Sequence, residues 1–99
     1  MKATIDDVVI ADADDGLVVI EGNYYFPPNS LVGEPFEDSP TPYVCPWKGA
    51  AQYHNVRIGH HVFRDAAWSY PAPARSAIER VGTDFGGYIA FDQSQVTVG

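Results

Sequence analysis

The 99-residue chain carries 13 acidic against 6 basic side chains, a net charge of −7, with 45% hydrophobic and 13% aromatic residues. That apolar content excludes a disordered chain, and the length suits one domain, residues 1–99, with a single modest core. The negative field repels phosphate backbones and anionic lipid, so neither nucleic acid nor a membrane is an expected partner.

The opening MKATIDDVVIADADDG has neither a basic leader nor a long apolar run, and one cysteine allows no intramolecular disulfide. A reducing, cytoplasmic location is the expectation.

Thr4–Ala11 reads as a short apolar segment ended by turn chemistry at Asp12–Gly16. Leu17–Glu21 and Tyr24–Phe26 are β-prone runs joined by Gly22-Asn23, a hairpin signal because both residues tolerate positive φ. Pro27–Pro42 holds five prolines. Each removes an amide donor and restricts the residue before it, so this stretch is expected to be an ordered surface loop anchored by Leu31, Val32 and Phe36.

From Ala50 the β alternation returns, with Ala51, Tyr53 and Asn55 on one face and Gln52, His54 and Val56 on the other. A turn at Ile58-Gly59-His60 leads into His61–Phe63, and Ala66–Tyr70 is closed by Pro71. Pro73–Val81 is the one helix: proline suits its first position, Ala74, Ala77, Ile78 and Val81 keep helical spacing, and Gly82 terminates it. Tyr88–Phe91 and Val96–Val98 are closing strands around an Asp-Gln-Ser turn. The fold class is therefore mostly β: a compact single domain of about seven short antiparallel strands, a sandwich or partly open barrel, with one short helix.

Four stretches in order, LVVIEGNYYFPPNSL, YVCPWKGAAQYHNV, DAAWSYPAPARSAIERVGTDFGGYIAF and the final VTV, resemble the family known as domain of unknown function 427, also filed as nucleotidyltransferase-like. The resemblance implies a small, mostly β, single-domain protein with no settled activity. Neither a Gly-rich phosphate loop nor a paired-aspartate metal site supports the transferase label. The chain departs from the family pattern at Gly59-His60-His61 and in the proline-rich stretch.

The unusual side chains fall in CPWKG and AAWSYP. Trp47, Lys48, Tyr53, Trp68 and Tyr70, with Glu21, would line an aromatic pocket for a small anionic or ring-bearing ligand if the fold brings them together. Lys48 would anchor an anion there, or else be a solvated turn lysine with its stem on Trp47. Glu21 is expected either exposed at the hairpin or paired with a cation such as Lys48.

A small enzyme is the alternative, with Cys45 or His54 as catalytic residue beside Lys48. On one strand Cys45 and His54 would stand roughly 30 Å apart, so only a reversal at Pro46–Gly49 joins them. A lone cysteine is otherwise a small buried residue. Asp65 is expected to cap a turn.

A metal site would need Cys45 and His54 with His60 or His61, and Asp65 as a further ligand, and no spacing pre-arranges two such ligands, so no metal and no cofactor are expected. Ser69 lacks the frame of a hydrolase serine. A protein-interaction module is a third reading, with the chain expected as a monomer or a weak homodimer.

Overall fold

Asp6 and Asp7 both take positive φ, 47° and 63°, and split the first apolar segment into β1 (Lys2–Ile5) and β2 (Val8–Asp12). Two left-handed residues in a tight turn match the twist of a hairpin, and aspartate visits that region more readily than most side chains. Strand β9 (Thr97–Val98) pairs along the other edge of β1, so both ends of the chain share one sheet of order β2-β1-β9. A computed structural model describes all of residues 1–99.

The expected hairpin forms from β3 (Val18–Ile20) and β4 (Asn23–Tyr25). Ile20 pairs with Asn23, so the turn is Glu21-Gly22 and lies one residue earlier than Gly22-Asn23. Both turn residues have positive φ, 53° and 81°. Glu21 therefore projects from a turn instead of ending a strand.

The largest sheet has the order β5-β6-β7-β8, from β5 (Phe36–Cys45), β6 (Gly49–Ile58), β7 (His61–Ser69) and β8 (Ile89–Phe91). Strand β5 corrects the expectation of a loop over Pro27–Pro42, since it runs through Pro40 and Pro42. It can do so because it is an edge strand, paired only to β6, and its register shifts between Asp38 and Pro42. Proline is tolerated at edges and bulges because no ladder there asks for its missing amide. Of the expected anchors, Leu31 and Phe36 pack against the core, while Val32 is 43% exposed.

His61–Phe63 and Ala66–Tyr70 are likewise one strand, β7, interrupted by a bulge where Asp65 takes φ 50° and the β6–β7 register shifts. Asp65 is not the turn cap expected of it. Its carboxylate accepts from Thr41 Oγ1 at 2.7 Å, and its amide donates to Asn55 Oδ1 at 2.8 Å.

Helix α1 (Arg75–Val81) lies within the predicted Pro73–Val81 and ends at Gly82, whose left-handed φ of 92° lets its amide reach the Ile78 carbonyl at 2.8 Å. Nine strands in three sheets replace the expected seven, and none of the sheets closes into a barrel. No helix is long and apolar enough to cross a membrane.

Strand alternation divides the core in two. Ala67, Ile89 and Phe91 join Phe26 in one cluster, where the Phe26 and Phe91 rings meet edge to face at 5.4 Å. Trp68 and Ala90, next along the same strands, point the other way to Tyr25, Tyr70, Phe85 and the Ala77 face of α1. The candidate site lies on this second side.

Candidate functional site

Cys45 pairs with Gly49, so Pro46, Trp47 and Lys48 form a three-residue connection between β5 and β6. Gly49 has φ 112°, a conformation that side chains rarely adopt, and this lets the chain re-enter the sheet at once. The Lys48 carbonyl accepts from the Ala74 amide at 2.9 Å, tying the turn to the start of α1.

Held in this way, Lys48 points inward and is only 4% exposed, which corrects the picture of a solvated turn lysine. Its Nζ lies 4.5 Å from the Trp47 ring centre and 5.3 Å from that of Tyr70, and it donates to Glu21 Oε1. Glu21 is both exposed, at 57% of its side chain, and paired with Lys48.

Burial by itself would lower the Lys48 pKa. The Glu21 hydrogen bond, with the nearby Tyr25 and Cys45 groups, outweighs burial and holds the ammonium above its ordinary value. Burial likewise opposes ionisation of the Cys45 thiol, yet the Lys48 and Trp47 amides and the Lys48 charge bring it below the usual thiol value. Cys45 is nevertheless a buried free thiol within the second core cluster. Burial drives Tyr70 well above a normal phenol, and Tyr25 is raised by burial against the lowering effect of its bond from Trp68.

Lys48 and Glu21 border a cavity of about 220 Å³ that Asn23, Tyr25, Tyr43, Tyr53, Trp68 and Tyr70 complete. Tyr53 and Trp68 meet there because they are register partners on β6 and β7, with ring centres 6.4 Å apart. Trp68 Nε1 donates to the Tyr25 hydroxyl at 3.0 Å.

Five of the residues named from the sequence, Glu21, Lys48, Tyr53, Trp68 and Tyr70, thus share one concavity. Trp47 does not border it. Its ring is covered by Lys48 on the inside and by the Arg80 guanidinium of α1, 4.3 Å from its centre. Asn23, Tyr25 and Tyr43 complete the wall from outside the CPWKG and AAWSYP motifs. Strand period supplied the signal for two of them: Asn23 and Tyr25 stand two apart on β4, hence on one face.

His54 is elsewhere. Its neighbour Tyr53 faces the cavity, so His54 faces the other side of β6, where Nε2 meets Ser69 Oγ at 2.9 Å and Nδ1 meets Asp38 Oδ1 at 3.3 Å. A catalytic pairing of His54 with Lys48 or Cys45 is therefore not formed.

The Asp38–His54–Ser69 chain has the order of groups found in hydrolases, but Ser69 is 4% exposed and neither Ser69 nor His54 borders a cavity. Its evident work is to pin β5, β6 and β7 together. Burial lowers the His54 pKa more than Asp38 raises it, so the ring is held neutral. No group of three or more His, Cys, Asp or Glu side chains is placed to hold a metal ion.

A second concavity of about 390 Å³ lies between β2 and the end of β6, with Val8, Ile10, Val32, Pro35 and Ile58 in its wall.

Fold and cavity together define a small, mostly β domain with a tyrosine-walled concavity at one face of its largest sheet. The chain belongs to the family described as Domain of unknown function (DUF427), whose model matches residues 1–99. That model carries a nucleotidyltransferase-type name, NTP_transf_9, whereas the cavity presents a single carboxylate, Glu21, already bound to Lys48. A search of curated proteins found no match.

Proposed function

We propose that this chain is a binding module whose ligand is a small ring-bearing molecule held in the cavity between β4, β5, β6 and β7. One observation carries this reading: a lysine only 4% exposed, paired with Glu21, is set among tyrosine and tryptophan side chains at a concavity. Burying an ammonium is expensive, and a fold that needed only stability would do as well with an apolar side chain in its place. A polar floor under aromatic walls is the usual composition of a small-molecule site.

The chain is read as a monomer or a weak homodimer, without nucleic-acid or membrane partners, on the strength of its net charge of −7. A thermal-shift screen of nucleotides, anions and neutral metabolites tests the binding reading. A ligand at about 100 times its Kd stabilises the fold by roughly 2.7 kcal/mol. For a domain of this size that corresponds to a rise in Tm of about 10 °C or more. The reading expects such a rise in the parent protein and its loss in Tyr53→Ala. An equal rise in both proteins would place binding elsewhere.

A further inference from the structure

We infer that the cavity takes an uncharged, hydroxyl-rich ring, the chemistry of a monosaccharide or of the ribose of a nucleoside. This rests on the binding reading above and narrows it.

Charge is the first argument. The one cation at the cavity is already matched, because Lys48 Nζ donates to Glu21 Oε1. An anionic ligand would have to displace Glu21 while entering a chain of net charge −7. A cationic ligand drawn to Glu21 and the ring faces would meet the Lys48 ammonium at the same spot. The pair makes the site neutral, and a neutral guest disturbs it least.

Hydrogen bonding is the second argument. The cavity is walled by four tyrosines and by Asn23. A guest without polar groups would strip water from the Tyr43 and Tyr53 hydroxyls and the Asn23 amide and leave them unpaired. Tyr25 is already oriented: its oxygen accepts from Trp68 Nε1 at 3.0 Å, which frees its own proton for an acceptor. Glu21, 57% exposed and engaged through Oε1, keeps its second oxygen as an acceptor for a hydroxyl.

Shape is the third. A volume of about 220 Å³ falls below the roughly 300 Å³ at which drug-sized pockets begin, so the guest is one ring in size. The Tyr53 and Trp68 rings, which border the cavity with centres 6.4 Å apart, supply apolar surface for the C–H side of such a ring.

Amide chemical-shift titration of the whole chain separates the classes. The neutral probes are D-glucose, D-ribose and adenosine, and the charged probes are inorganic phosphate, adenosine monophosphate and choline. Shifts from a neutral probe should cluster on Glu21–Tyr25, Tyr43, Tyr53 and Trp68–Tyr70. Adenosine should bind about tenfold more tightly than its monophosphate if ribose is the recognised part, and free sugar should bind more tightly than adenosine if it is not. Affinity should be unchanged between about 50 and 500 mM salt.

Tyr53→Phe, which removes one hydroxyl from a half-buried ring, should weaken the neutral probe about threefold to tenfold with the fold intact. Tyr43→Phe on the exposed strand β5 serves as a second such variant. Tighter binding of phosphate, monophosphate or choline at these residues would overturn the neutral class and leave the cavity reading standing. Absence of any shift at these residues up to about 100 mM probe, a free energy near −1.4 kcal/mol, would overturn both.

Discussion

Lys48 and Glu21 show how unevenly the two members of an ion pair share its consequences. Glu21 lies in an exposed turn and loses little if its partner is removed, whereas Lys48 is buried and has no other carboxylate at the cavity. Glu21→Ala should therefore cost about 1–2 kcal/mol in denaturant unfolding, and Lys48→Met, which puts an apolar chain in an apolar setting, should cost less. The reverse order would show that Lys48 is not buried as described.

His54 gives a prediction of opposite character. The unfolded chain protonates this ring near pH 6.5, and the folded chain only at lower pH, because burial outweighs Asp38. Below about pH 6.5 the unfolded state then binds the extra proton, so stability is complete above that value and falls as pH drops. Between about pH 7 and pH 5, His54→Gln should lose less stability than the parent protein in chemical denaturation. An equal or greater loss in the variant would contradict the assignment. Most of the cavity residues were legible as unusual side chains in short motifs, but their inward or outward facing was not. The Pro46–Gly49 turn was legible, but Lys48 could be read either as an anion anchor or as a solvated turn lysine, because nothing local encodes the Ala74 tether that helps point it inward.

Elements built from local chemistry were readable, and those built from pairing were not. The helix follows from the spacing of Ala77, Ile78 and Val81 and from Gly82, all within one segment. The β3–β4 hairpin was visible too, although its left-handed pair is Glu21-Gly22 rather than Gly22-Asn23, a choice made by strand register.

Strand β5 was missed because proline is a local veto that a sheet edge overrides. That edge has its own consequence. Pro40 and Pro42 lie on the outermost strand, next to Tyr43 and Val44, which are 47% and 69% exposed. Replacing both prolines with threonine should restore donors to an exposed strand and promote edge-to-edge association. Sedimentation over a concentration series should then show oligomers absent from the parent protein, and unchanged monomer behaviour would mean that the prolines do not guard this edge.

At the scale of the whole molecule, the period of β7 and β8 separates a structural side from a chemical one. Phe26, Ile89 and Phe91 fill the first, while Tyr25, Lys48, Trp68 and Tyr70 build the second around the cavity. A Cα radius of gyration of 12.9 Å is that of a compact domain of about 100 residues, so the concavity belongs to a closed fold rather than to a gap between parts.

The two tryptophans report on this division, since Trp68 borders the cavity and Trp47 is capped by Arg80 and Lys48 outside it. The most direct measurement is the emission of Trp68 in a Trp47→Phe variant, titrated with whichever compound raises Tm most in the screen. Occupation of the cavity predicts a saturable change in Trp68 emission, with the same midpoint as the stabilisation and absent in Tyr53→Ala. Stabilisation that saturates while Trp68 emission stays constant, or a screen in which nothing stabilises the protein, would contradict the account.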